Sequence, residues 1–193
     1  MRQIRRRAVT GEPQALRPVA PELDTVEAGV GYRNCHANGV IEELRTSTVL
    51  VDARRIESLQ QMAIFGGVRY DVLELILSLA SVVQAREGAF FFMEDDTPGS
   101  MYVLEEGSAV ALKSISGTQH RVREFKPGDC FGEMSMMDYS PRSASVQAIR
   151  NCAALAISTG CLQRIYEQDL EQFTIIEMNM GREVTRRLRD AMG

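Results

Sequence analysis

From Gly88 to Ser158 the chain never keeps one structural rhythm for more than a few residues. Six short strand-like runs, Ala89–Met93, Ser100–Leu104, Ala109–Ser114, His120–Phe125, Ala144–Ile149 and Ala153–Ser158, succeed one another. Turn-forming clusters separate them: Asp95-Asp96-Thr97-Pro98-Gly99, Glu106-Gly107, Ser116-Gly117 and Lys126-Pro127-Gly128-Asp129. Proline fixes one turn dihedral and glycine takes backbone conformations closed to other residues, so such clusters end strands and reverse the chain. Short strands at regular spacing with a glycine at nearly every corner predict an antiparallel barrel or jelly roll.

The flanks read as helix. Arg54–Met62 places Ile56, Leu59 and Met62 on one side and is stopped by Phe65-Gly66-Gly67. Asp71–Ala85 is apolar on most of its circumference, which predicts a second, buried helix. After Gly160, Phe173, Ile176, Met180, Val184 and Leu188 recur at three- and four-residue intervals, an amphipathic stripe that predicts helix to the end. Arg182, Arg186, Arg187 and Arg189 gather in its last turns, where the negative end of a helix favours cations. Gly181 interrupts the stripe, marking either a bend or a close approach of another backbone. Residues 1 to about 23, with Pro13, Pro18 and Pro21 and an arginine cluster, predict a mobile basic tail. Val40–Val51 reads as a strand, or as an arm packing on the domain or on a second copy. The expected division is an N-terminal extension over 1–53 and a domain over 54–193, with the roll at about 86–160 and the C-terminal helix at about 161–192.

Composition narrows the function. The formal net charge of -4 argues against nonspecific nucleic-acid binding, which needs a cationic footprint. Cys35, Cys130, Cys152 and Cys161 include no C-x-x-C pair, and His36 and His120 are the only histidines. Buried thiols in a reducing cytosol are the expectation, with no metal and no cofactor. No apolar run is long enough to span a bilayer, and no signal peptide opens the chain, so a cytoplasmic protein without membrane contact is expected. No nucleophile–base pair stands out, so no enzyme is expected.

One stretch carries chemistry. Phe131 to Val146 reads FGEMSMMDYSPRSASV, with Gly132-Glu133 followed nine residues later by Arg142 between Pro141 and Ser143. Gly132-Glu133-Met134 predicts the start of a helical turn, whose free N–H groups attract an anion. The planar fork of Arg142 can take two phosphate oxygens at once. Ser143 adds a hydroxyl and an N–H. Glu133 would repel a phosphate at contact, so it suits a sugar hydroxyl as acceptor. Singly, each residue also has a plain role as a helix-end acid, a loop cation or a small corner residue. Together they describe a cradle for a ribose-phosphate.

Phe131-Gly-Glu followed by Pro141-Arg-Ser-Ala-Ser-Val146 resembles the phosphate-binding cassette of the cyclic nucleotide-binding domain family. The resemblance extends to Leu59–Phe65, Arg86-Glu-Gly88, Met101–Gly107 and Pro127-Gly128-Asp129, and so covers roughly Arg54 onward. It implies a mainly β fold with flanking helices: a jelly-roll β-roll holding the cassette helix, then a long C-terminal lid helix. It implies that Glu133 binds the ribose 2′-hydroxyl and Arg142 the cyclic phosphate. Gly132, Met134, Ser143 and Ala144 would give backbone or hydroxyl contacts, and Val122 and Phe131 would wall the base. On the lid, Arg187 is the nearest candidate for a last contact to the base, with Leu188 beside it. The ligand is cAMP or cGMP, with cAMP favoured. Because the sequence stops after this helix, no DNA reader is expected. The expected role is a sensing module acting through the helix on a second copy or a separate effector. The competing expectation is a ligand-free interaction module on the same fold.

Overall fold

The computed structural model describes residues 45–192. In chain order, β1 (Arg45–Thr48) leads into α1 (Ala53–Gln60), a single 3-10 turn at Ala63–Phe65, and α2 (Tyr70–Leu79). Then come β2 (Ser81–Ala85), β3 (Phe90–Phe92), β4 (Ser100–Glu106), β5 (Ala109–Ile115), β6 (Thr118–Phe125) and β7 (Cys130–Phe131). The short helix α3 (Met134–Asp138) precedes β8 (Ser145–Ala148) and β9 (Cys152–Ser158), and α4 (Thr159–Gln168) and α5 (Leu170–Met192) complete the chain.

The strands form two antiparallel sheets, ordered β1-β2-β9-β4-β7 and β3-β8-β5-β6. This is the predicted roll, and its six expected strands are all present. The alternation of side chains along β9 shows why the layers stack. Cys152, Ala154 and Ala156 join the core inside the roll, while Leu155 and Ile157 face the helices and pack with Ile56, Leu59, Leu73, Ile76, Ile165 and Ile176. Both faces of β9 are therefore buried, and its sequence reads as nearly continuous apolar residues. Inside the roll, alanines at 109, 111, 148, 154 and 156 leave room for an aromatic group. Phe131 stacks on Tyr102 with centroids 5.3 Å apart and meets Phe91 edge-on at 5.0 Å. Gly107 permits one tight corner: it has φ +85°, and a Cβ there would lie 2.2 Å from the Asn151 carbonyl oxygen.

Three expectations are corrected. The helix predicted over 71–85 ends at Leu79, and Ser81–Ala85 is strand β2. Val82 and Val83 pair there with Leu155 and Ala154, and this sheet pairing overrides an apolar pattern that suits either structure. The roll accordingly begins before residue 86, and β1, from the Val40–Val51 segment, pairs with β2 at its edge. The single helix expected after Gly160 is two, broken at Asp169, whose side-chain Oδ1 caps α5 by accepting from the Gln172 N–H at 3.1 Å. Gly181 is not a close approach of another backbone. The helix runs through it, and the nearest group is the Met137 methyl, 3.8 Å from where a Cβ would stand. The expected basic tail, Cys35 and His36 lie outside the described residues.

Two buried amides tie α5 to the helical layer. Asn179 donates to the carbonyls of Ile64 and Gly66 at 3.1 and 2.9 Å, and Gln172 accepts from the Arg69 N–H at 2.8 Å. Arg69 also pairs with Asp169 at 2.9 Å.

Candidate functional site

Between the inner face of the roll, the β7–β8 segment and the last turns of α5 lies a cavity of about 410 Å³, within the range of small-molecule sites. Nine of the residues singled out from the sequence line it, Val122, Phe131, Gly132, Glu133, Met134, Arg142, Ser143, Ala144 and Arg187, whereas Leu188 is exposed and does not. They come from β6, from the segment spanning β7 and α3, from the turn before β8, and from α5.

Arg142 is the buried cation of this site, with 4% of its surface exposed. Its Nη1 donates to the Gly132 carbonyl at 2.8 Å and its Nη2 to the Ser100 carbonyl at 2.5 Å. Its guanidinium carbon stands 4.1 Å from the centre of the Phe92 ring, a cation–π contact. Its Nε is buried and has no hydrogen-bond partner. Burial lowers its pKa, while Tyr102, Asp96 and Glu133 work the other way; a guanidinium so placed stays charged. Gly132 makes the arrangement possible. It has φ +81°, and a Cβ on it would lie 2.7 Å from Arg142 Nη1 and 3.2 Å from the Phe92 ring.

Glu133 is 1% exposed. Burial raises its pKa, and Arg187 opposes that rise. Arg187 reaches in from α5 to pair with Glu133 through Nη1, donates from Nη2 to the Cys130 carbonyl at 2.6 Å, and lies 3.3 Å from Glu183 through Nε. Burial works against its charge, but Glu133, Cys130 and Glu183 outweigh burial and hold its pKa raised. Arg187 therefore connects the carboxylate of the roll to the helix rather than standing free toward a base.

The predicted helical turn is α3, five residues long, entered through Glu133 and left through Tyr139 with φ 55°. So short a helix carries little dipole, and the positive potential of the site rests chiefly on arginine. The sequence reading missed Phe92, Ala111, Arg123, Phe125, Ser135, Val146 and Asp190, which line the same cavity. Period-two alternation could have found Arg123, because it stands two residues before the buried Phe125 on β6.

A β-roll covered by a long helix, enclosing a buried arginine and a buried glutamate around a nucleotide-sized cavity, defines a small-ligand-binding module with an anion cradle. Residues 82–169 match the family described as the cyclic nucleotide-binding domain. It is 27% identical over 129 residues to the Cyclic AMP receptor protein of Thermus thermophilus, a match covering 66% of this chain and 58% of that protein. It is 39% identical over 61 residues to a cAMP-dependent protein kinase regulatory subunit of Emericella nidulans, covering 32% of this chain and 14% of that one. Among solved structures, a cyclic nucleotide-binding domain from Methylobacillus flagellatus superposes with a TM-score of 0.64 at 20% identity. That match covers 70% of this chain and 77% of the other. The chain thus spans less than two thirds of these curated relatives. Among the described residues, no helix is long and apolar enough to cross a membrane.

Proposed function

We propose that the chain is a regulatory module that binds a cyclic nucleotide between the roll and α5 and signals through α5 to a second copy or a separate effector. The observation that carries this reading is Arg142: a guanidinium buried at the cavity wall, with one nitrogen lacking a partner and with Gly132 kept small beside it. Buried donors without acceptors are rare and costly, and a cyclic phosphate supplies charged acceptors. In this reading Glu133 accepts from the ribose 2′-hydroxyl, and Gly132, Met134, Ser143 and Ala144 contribute contacts around the phosphate and sugar. Phe131 braces the floor through its ring stack with Tyr102.

Arg187 joins binding to response. It touches Glu133 on the roll while belonging to α5, so a ligand that engages Glu133 alters the contact that positions the helix. A ligand shifts such an equilibrium only as far as it binds one arrangement better than the other. No covalent chemistry is asked of the protein. Of the two cyclic nucleotides, cAMP has the support of the relatives named for it.

Calorimetric titration of the chain with cAMP and with cGMP tests the reading. At least one should bind, and Arg142→Lys, which keeps the charge and loses the fork, should weaken binding about a hundredfold. Failure of both nucleotides to bind the folded protein would favour a ligand-free interaction module instead.

A further inference from the structure

The turn that carries Arg142 and Ser143 is tied to the loop after β3. The Arg142 N–H donates to the Asp96 carbonyl at 3.0 Å, and the Asp95 N–H donates to the Arg142 carbonyl at 2.9 Å. The Glu94 N–H donates to Ser145 Oγ at 2.9 Å. Ser143, between these ties, is held by a side chain from β5: its carbonyl accepts from Lys113 Nζ at 2.8 Å. Lys113 is itself anchored by Glu94 Oε1 at 2.5 Å, while Glu94 Oε2 accepts from the Ser114 N–H at 3.0 Å. The Lys113 ammonium, followed by the Ser114 N–H, holds the Glu94 carboxyl below the usual carboxylate range. Neither Lys113 nor Glu94 lines the cavity, whereas Ser143 and Ala144 do.

The Lys113 side chain is 42% exposed, and an ion pair so placed adds little to stability. Its geometric effect is larger. A trans peptide unit is planar, with its carbonyl and its N–H pointing to opposite sides. The Ser143 carbonyl and the Ala144 N–H belong to one such unit. Holding the carbonyl from outside the cavity therefore turns the N–H toward it. Rotating the unit would exchange the two and present a carbonyl oxygen to an anion, which a backbone donor attracts and an oxygen repels. We propose that Lys113, anchored by Glu94, is a positioning residue that fixes the Ser143–Ala144 peptide so that its N–H meets the anionic group of the ligand. This deepens the proposed nucleotide-binding function and rests on it.

The test is titration of the full chain with whichever of cAMP and cGMP the wild type binds, and with the two phosphorothioate diastereomers of that nucleotide. In each diastereomer sulfur replaces one of the two exocyclic oxygens. Lys113→Met, which keeps an apolar stem and loses the donor, should weaken the natural nucleotide about tenfold, the worth of one charge-assisted hydrogen bond. Sulfur accepts hydrogen bonds poorly. The diastereomer with sulfur facing Ala144 should therefore bind wild type and Lys113→Met alike, while the other loses the same factor as the natural nucleotide. Lys113→Arg, which can still donate to the carbonyl, should stay within about twofold of wild type, and both variants should melt with it. The proposal is overturned if Lys113→Met binds as tightly as wild type, or if Lys113→Arg loses as much as Lys113→Met. It is also overturned if Lys113→Met weakens both diastereomers by one factor, which would mean a loosened site rather than one turned peptide. A wild type that binds no cyclic nucleotide removes the proposed function and this inference together; a wild type that binds, with variants that fail these tests, removes the inference alone.

Discussion

Gly132 and Arg142 are ten positions apart in the sequence, yet each dictates what the other can be. The glycine's left-handed backbone and missing Cβ let the guanidinium pass within hydrogen-bonding distance of its carbonyl. Gly132→Ala should therefore lower stability by about 1–2 kcal/mol for the backbone conformation alone. Displacing the Arg142 fork should weaken nucleotide binding about tenfold further, and melting curves and titrations read the two effects separately. The buried thiols make a contrasting case. Burial pushes Cys130 and Cys161 up to about 12, so almost no thiolate exists at neutral pH. Mass spectrometry after iodoacetamide treatment should find both unmodified in the folded protein and alkylated once it is unfolded in denaturant.

At the scale of elements, the junction of α4 and α5 and the hook on α5 carry the clearest consequences. Hydrogen bonding from the Gln172 N–H, followed by Arg69, holds the Asp169 carboxyl below the usual carboxylate range. A carboxyl whose pKa is lowered by folding contributes stability above its unfolded value, and that contribution is lost as pH falls through the folded value. The melting temperature should fall as pH drops below about 4, and Asp169→Asn, which retains a capping oxygen, should flatten that descent. Asn179→Ala leaves the Ile64 and Gly66 carbonyls without their donor and should cost about 1–3 kcal/mol. Increased hydrogen exchange around the 3-10 turn would locate the loss. The strands of the roll were legible in the sequence because period-two runs between glycine corners admit few other structures. β2 was not, because Leu75–Val83 is apolar on a helical and on an extended template alike, and only pairing with β9 decides between them. β7, two residues long, offers no period at all. Glu133 and Arg142 were legible through their spacing. Arg123 was passed over because its charge reads as solvent-facing, although its two-residue step from the buried Phe125 places it on the inner face.

The described residues, taken together, stand on two cores that share β9, one inside the roll and one beneath the helices. Leu155, fully buried on the helical side, should cost about 2–5 kcal/mol when cut to alanine, and thermal or urea unfolding will show it. The ligand cavity should keep its affinity for nucleotide in that variant while the protein stays folded, because Leu155 faces away from it. The site is walled mainly by the β3-β8-β5-β6 sheet, whereas Leu155 stands on β9 of the other sheet.

Asn179 grips the helical layer near the middle of α5, and Arg187 lies eight residues further along. At about 1.5 Å per residue they are some 12 Å apart. That makes the end of α5 a lever with its fulcrum at an amide. A swing of roughly 10° about Asn179 would carry Arg187 about 2 Å. A displacement of atomic size at Glu133 is therefore enough to redirect the whole terminal arm.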